Sequence, residues 1–584
     1  MSLAFAFAVI EAMESNTHTS RFVALAMSVQ ETLNSDADKA EGWARLMHSL
    51  LTAIVGWAGV RLYATTVGLK WDAFLARHIV SGHFIIVAGQ SKKSSETAAN
   101  ARMQPEPDLP DVDKTALAID LALSLAATQS VVLSLPDIDE GDRDRLWRAG
   151  VTVLRQNLAM PEVLKVAGTR RARMLIAMRD DFADNVILTR AAVSPSLDNP
   201  RLECKCMLEP LEVKRKFRLD DYFEPHSQPR IRIFNESELI ARRILRDHPP
   251  DLVVAQTSQR VHVLLVGLGS VGQSVMLQIA RIGHYKSGIK PKVTVVDRKI
   301  KLRWKSLLNC HPALANLVSV ETEETHIEDV GQQELERWLQ DEFPITIAYV
   351  CTKNEIANLR IARILLREIP KRQRLPADVV VLDPAGGCVL SEFATNGVHH
   401  GRLRLFSLVK SDSRTERLNN AGGLLSEIDD KFARLLHEEY CAEDDRSRAH
   451  DPRRQRALAN RPWGELDETI RDANRHVTDH FEVKLRAVGC RLAPQSEGAP
   501  AKLTAEEMEL LARMDHDRWQ ADRSLAGWTF GAIRNNDLKQ HPNMVPYEEL
   551  SDELKQLDRD SIVKLRSILA ASGTEVVRSQ ATPL

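Results

Sequence analysis

Three things are scarce in this 584-residue chain: net charge of one sign, cysteines that could pair, and an unbroken apolar run. Its 78 Lys and Arg stand against 80 Asp and Glu, a formal charge of −2. With no basic excess, nothing points to nucleic acid as a partner. The cysteines number seven, an odd count without a C-x-x-C, and only Cys204 and Cys206 lie close together. That spacing supports neither a disulfide framework nor a zinc or other metal site, and suits reduced thiols in a cytosolic compartment. Residues 2–10 are apolar but no Lys or Arg precedes them, which makes a poor secretory signal.

The longest apolar region, 46–69, is interrupted by Arg61, and its uncharged part, 46–60, falls short of the ~20 residues a spanning helix needs. Arg61 would cost ~2.5–3.5 kcal/mol at a bilayer centre and less near an end, where it can snorkel. Lys70, Arg77 and His78 follow and would hold the downstream side in the cytosol. Residues 1–80 are therefore expected to be a helical segment at the cytoplasmic face of a membrane, through or on it over 46–69, or else packed on a neighbouring subunit or domain.

What the chain does contain begins with a β-run, Val263-Leu264-Leu265-Val266, then Gly267, Gly269 and Gly272 in G-x-G-x-x-G spacing, a helix, and a second β-run ending at Asp297. The glycines suit a tight strand-to-helix turn, close approach of backbone to a pyrophosphate, and close helix-on-strand packing. The helix starting near Ser270 and Val271 would turn its free amides toward the phosphates. Asp297 sits where a carboxylate accepts from a ribose hydroxyl, and Arg298 beside it leaves NAD against NADP open. The expected ligand is NAD(H) or a related adenine nucleotide.

An earlier stretch reads the same way with a damaged loop. Phe84-Ile85-Ile86-Val87 leads into Ala88-Gly89-Gln90-Ser91, which keeps one glycine of the three, and Asp137, after Pro136, could mimic Asp297. The two stretches form a repeat about one domain long. Gly89 corresponds to Gly267, Asn185 to Asn358, and Arg230-Ile231-Arg232-Ile233-Phe234 to Arg402-Leu403-Arg404-Leu405-Phe406. Two such halves can pack as an internal pseudo-dimer.

His83-Phe84-Ile85-Ile86-Val87, Gly150-Val151-Thr152-Val153, Leu164-Lys165-Val166-Ala167-Gly168, Arg171-Ala172-Arg173, and Asp180-Asp181 with Asn185 closely resemble the nucleotide-binding domain of the regulator-of-potassium-conductance family, also called the Trk or Ktr N-terminal domain. The second copy has the better glycine loop and Asn358, and together the two cover roughly 83–410. The resemblance implies a cytosolic sensor of NAD(H), ATP/ADP or a related nucleotide that gates a membrane pore without turning over substrate.

Beyond Ser411 the β signals give way to helical ones: a helix over 424–440, a charged loop over 441–462, a second helix from Trp463, and a linker over 492–502. Thr504-Ala505-Glu506-Glu507 is a capping-box start. The ordered set Met514-Asp515-His516-Asp517-Arg518-Trp519, Arg523, Gly527-Trp528-Thr529-Phe530-Gly531, His541-Pro542, Pro546-Tyr547 and Asp558-Arg559 resembles the ryanodine-receptor repeat. Tyr440, Trp463, Asn474 and Leu485 suggest a preceding half-repeat. His516, Trp519 and Arg523 fall on one helix face and, with Trp528, could stack a base and hold a phosphate. The competing reading makes the indoles a small core and Arg523 a surface ion pair with Asp522 or Asp558.

No catalytic constellation emerges. Cys310-His311 and His399-His400 lack placed partners, and nothing supplies a proton donor beside a nicotinamide. The fold expected is α/β: two tandem Rossmann-type parallel-sheet domains (81–245 and 258–410), a helical region (420–490) and a ryanodine-receptor-like helical domain (503–584). The function expected is nucleotide sensing that controls potassium or other ion transport, through a membrane channel or transporter or a pore formed by a homo-oligomer. The alternatives are an NAD(P)-dependent oxidoreductase and a defence effector that binds a nucleotide second messenger.

Overall fold

Each β/α half forms a six-stranded parallel sheet, and the two sheets share one strand order. In the computed structural model the described residues run from 81 to 579, apart from 90–113, 156–159, most of 210–229, most of 326–342, 384–401, 407–429, 451–460 and a few single positions. The first sheet is built from β1 (Phe84–Gly89), β2 (Val131–Ser134), β3 (Thr152–Leu154), β4 (Met174–Arg179), β5 (Glu203–Met207) and β6 (Ile231–Phe234), in the order β3-β2-β1-β4-β5-β6. The second uses β7 (His262–Val266), β8 (Lys292–Val296), β9 (Ser319–Glu323), β10 (Ile347–Val350), β11 (Asp378–Leu382) and β12 (Leu403–Phe406), in the order β12-β11-β10-β7-β8-β9. Numbered within each half, both read 3-2-1-4-5-6, the dinucleotide-binding doubly wound order. The central strands β1, β4, β7 and β8 are buried along their whole length. Helices on both faces explain why these segments are continuous apolar runs with no polar alternation.

The repeat extends to single side chains. Asn185 donates to the carbonyls of Arg179 and Met207 at 2.9 and 3.1 Å, and Asn358 donates to those of Thr352 and Leu382 at 2.9 and 3.0 Å. Each amide thus ties the ends of the fourth and fifth strands of its sheet together. His83 and His262 match in the same way, the carbonyl of one accepting from the Arg173 amide and that of the other from the Thr346 amide.

Helices α1 (Lys114–Ala126), α2 (Glu140–Arg148), α3 (Met160–Val166) and α4 (Phe182–Val193) flank the first sheet, and α5 (Glu236–Asp247) follows it. In the second half, α6 (Ser270–Ile282) follows β7, α7 (Ile300–Cys310) follows β8 and α8 (Glu355–Arg372) follows β10. Helix α5 packs on α6, joining the halves.

The C-terminal region is mainly helical: α9 (Lys431–His450), α10 (Glu468–Ala487), α11 (Ala505–Leu525) and α12 (Asp552–Ala571). Two expectations needed correction. The charged stretch expected as a loop from Cys441 continues α9 to His450, because its Glu, Asp, Ala and Arg are compatible with a solvated helix and pairs such as Arg446–Glu439 at 2.9 Å form along it. The expected linker begins as a strand, β13 (Cys490–Pro494), which pairs antiparallel with β14 (Thr574–Arg578).

Those two strands expose a further symmetry. Leu492 faces Val576 at the centre of the register, and the separation between them also separates Pro462 from Pro546, Leu466 from Leu550 and Gly489 from Gly573. His437 donates to the Arg461 carbonyl at 2.6 Å and lies 5.7 Å from the Trp463 ring; His516 donates to the Val545 carbonyl at 2.8 Å and lies 5.9 Å from the Tyr547 ring. Asp430–Arg475 at 2.7 Å is matched by Glu509–Arg559 at 2.8 Å. Helix–turn–helix–strand thus occurs twice, about a pseudo-twofold axis.

Among the described residues no helix is long and apolar enough to cross a membrane. The stretch 46–69 lies outside them, as do His399 and His400.

Candidate functional site

Gly267 follows β7 directly with φ +92°, and a Cβ there would stand 2.9 Å from the Cys351 carbonyl oxygen. Backbone conformation and space both demand glycine. Gly272, in the first turn of α6, is demanded by space alone, since its Cβ would lie 2.0 Å from the Gly267 carbonyl. Gly269 is the N-cap of α6 with φ −69°, a conformation open to any residue, and no side chain caps the helix. The start of α6, with Ser270 leading and Val271 buried, therefore presents the positive end of the helix dipole with no capping side chain in front of it. Strand β7 lies between β10 and β8, so this helix start opens where the sheet order reverses, the usual place for a ligand in such sheets.

Asp297 comes to the same place but is held by the protein. One carboxylate oxygen accepts from the Leu268 amide at 2.8 Å and from Arg303 at 2.7 Å; the other accepts from the Lys299 amide at 2.7 Å. With about four acceptor positions on a carboxylate, a ribose hydroxyl has at most one left unless Arg303 moves. Arg298 is exposed beside it. Arg303 escaped the sequence reading; its signal was its place one helical turn into α7, behind Asp297.

The first half does not rebuild this arrangement. Aligned on His83 and His262, Ala88 takes the place of Gly267, and Gly89, with φ +85°, falls one residue later. Leu135, fully buried, takes the place of Asp297, while Asp137 is exposed two residues further on. The expectation that Asp137 mimics Asp297 fails on this register. Residues 90–113, which follow the loop, lie outside the described residues.

In the C-terminal module the predicted cluster divides. His516 is buried, with its ring between Trp519 and Tyr547 and its Nε2 donating to Val545, so it positions its neighbours from inside. Trp519, Arg523 and Trp528 are half-buried and face a common space. The Arg523 guanidinium lies 6.0 Å from the Trp519 ring and 5.3 Å from the Trp528 ring, and His541 meets both indoles edge-on at 5.0 and 6.4 Å. Of the acids weighed as partners for Arg523, Asp522 is near enough to favour its charge but meets His476 at 2.9 Å, and Asp558 lies 3.6 Å from the His516 ring. The result is a cationic, aromatic platform next to a loop whose Phe530, Ile533 and Leu538 are exposed.

These two places are joined through α6. Its outer side meets α5, α10 and α11. Asp479 on α10 takes a two-pronged bond from Arg242 at 2.7 and 2.8 Å and one from Gln278 on α6 at 3.0 Å. Arg281, also on α6, lies 3.8 Å from Asp522 on α11, and Arg486 binds Asp251 at 2.8 and 2.9 Å. Behind them Lys484, fully buried, pairs with Asp515 at 2.9 Å. Burial works to raise the Asp515 carboxyl, but Lys484 and Arg518 outweigh it and hold it well below the usual carboxylate range.

The RyR domain family model matches residues 501–578. Among solved structures the chain is similar to a dipicolinate synthase polypeptide from Bacillus halodurans, with 12% identity over 60% of this chain and 96% of that one at a TM-score of 0.21. It is also similar to a dipicolinate synthase polypeptide from Bacillus subtilis, with 11% identity over 60% of this chain and 98% of that one at 0.19. At those scores neither carries a ligand or an activity across to this chain.

Proposed function

We propose that the chain is a nucleotide-sensing regulatory protein, in which NAD(H) or a related adenine nucleotide binds at Gly267, Gly269 and the α6 amides. The observation that carries this reading is that the helix whose N-terminus would meet the pyrophosphate is the same helix that α5, α10 and α11 grip. A ligand that favours one setting of α6 thereby favours one setting of the helical module. The platform of Trp519, Arg523 and Trp528 serves as a second recognition surface, and the output is control of ion transport by a membrane partner or a self-formed oligomer. Proton donors for hydride chemistry do not figure in the reading; turnover of NAD(P)H with any substrate would replace it by the oxidoreductase.

The test is thermal unfolding of the full chain with NAD, NADH, NADP, ATP, ADP, ADP-ribose and cyclic nucleotides. At least one raises the midpoint, and Gly269→Arg, which the backbone tolerates but which fills the phosphate position, abolishes the rise. No stabilisation by any of them, or stabilisation that survives Gly269→Arg, removes the site from consideration.

A further inference from the structure

A loop after α11 holds three large apolar side chains out in solvent. Phe530, Ile533 and Leu538 are 57, 81 and 67% exposed. Their exposure is built in, because the loop is braced from within. Thr529–Phe530 pairs with Gln540–His541, and the Asn535 and Gln540 backbones exchange two bonds of 2.9 and 2.8 Å. The Asn535 side chain accepts from the Asp537 and Leu538 amides at 3.0 Å each, and Lys539 donates to the Ala526 carbonyl at 2.8 Å. Apolar side chains held out in this way mark a contact with a partner or a membrane.

The charges around them are mostly positive. Arg534 and Lys539 stand exposed on the loop beside one acid, Asp537, and Arg523 lies against the Trp519 and Trp528 indoles at its base. Asp522, next to Arg523 in sequence, is 2.9 Å from His476 and 3.8 Å from Arg281 at the α6 contact. Burial first, then Arg534 and Arg523, push the His541 ring toward its neutral form, which reflects the positive local field. The surface is thus apolar and cationic together, complementary to one that is apolar and anionic.

The first copy of the helical module differs at this place. On the spacing that matches His437 with His516 and Asp430 with Glu509, Tyr440 stands for Trp519 and Asp444 for Arg523. Helix α9 also runs on to His450, past the position matching the end of α11 at Leu525. The helix–turn–helix–strand plan therefore does not need the platform or the loop, which leaves both for a role outside the fold.

We infer that the loop and the platform form a docking site for an anionic lipid surface. Phe530, Ile533 and Leu538 enter the boundary of the bilayer, Trp528 lies at headgroup depth, and Arg523, Arg534 and Lys539 meet the lipid phosphates and carboxylates. Side chains that stand out this far need a medium that yields around them; a bilayer does so, where a folded partner must offer a matching hollow. The inference rests on the reading of the platform as a recognition surface and gives that surface its ligand.

The test is hydrogen exchange of the full chain titrated with vesicles of phosphatidylcholine alone and of phosphatidylcholine with phosphatidylserine. The phosphatidylserine vesicles add protection at 528–541, and phosphatidylcholine alone adds little. Arg534→Gln raises the lipid needed for half protection about fivefold, one basic residue's share at an anionic surface. Ile533→Asp/Leu538→Asp raises it about tenfold or more through the lost apolar contact. These substitutions fall on exposed side chains, so the thermal midpoint stays at that of the parent. The inference is overturned if neither vesicle protects 528–541, if both protect it equally, or if the protection survives the double variant. It is also overturned if protection there grows with protein concentration without lipid, which makes the surface a contact between copies. Protection by a nucleotide and not by vesicles removes the lipid and leaves the recognition surface standing, whereas response to neither removes both.

Discussion

At the scale of single residues, the glycine loop makes the sharpest stability prediction. Gly272→Ala puts a methyl 2.0 Å from the Gly267 carbonyl and must move either α6 or the turn. It should cost about 1–3 kcal/mol, the range for overpacking a tight core. Gly269→Arg should leave the denaturant midpoint near that of the parent, and an equal loss in both variants would contradict the assignment of roles. Arg303 sets a second residue-level prediction, since it occupies Asp297 and adds a cation at the ribose end. Arg303→Ala should lower the ratio of NADP to NAD affinity by about tenfold, the scale of one charge-assisted bond, read by competitive titration. An unchanged ratio would place Arg303 outside the pocket.

Histidine gives the pH prediction. His262 is fully buried, and burial lowers its ring to about 4. The unfolded ring titrates near 6.5, so the unfolded chain binds the extra proton first. Stability is then intact above about pH 6.5 and falls as pH drops toward 4, by up to about 1.4 kcal/mol per pH unit for this one group. The slope of the urea midpoint against pH in that window should flatten in His262→Gln.

At the scale of elements, much was legible because the signals were local. The buried runs of β1, β4 and β7 have no polar alternation, and the capping box at Thr504 and Glu507 is present as read. What was missed depends on distant partners. Residues 490–494 look like a linker until 574–578 pair with them, and the loop expected after Tyr440 is helix because its charged residues find solvent and each other. Asp297 was found by position, whereas its capture by Arg303 depends on how α7 packs. The half-repeat rested on four residues, while the doubled hydrogen-bond pattern of His437 and His516 required coordinates.

Helix α10 carries the prediction that belongs to this scale. Lys484→Met leaves the buried Asp515 with Arg518 alone, at 3.4 Å, and should cost about 3 kcal/mol, the low end for breaking a buried pair, with Lys484→Met/Asp515→Leu recovering part of it. Additive losses in the double variant, measured by denaturant unfolding, would show that the pair is not coupled.

For the whole molecule, the claim is that two similar β/α halves and two similar helical modules meet around one helix. Arg242, Gln278 and Asp479 draw α5, α6 and α10 into a single cluster on the same helix whose start is suited to phosphate. A passive cofactor site needs no such grip; a sensor does, because its ligand must change a distant surface. The direct measurement is hydrogen exchange of the full chain with and without the nucleotide that stabilises it. The account predicts added protection at 266–273 together with changed exchange in α10 and α11. Protection confined to the glycine loop, with α10 and α11 unaltered, would contradict it.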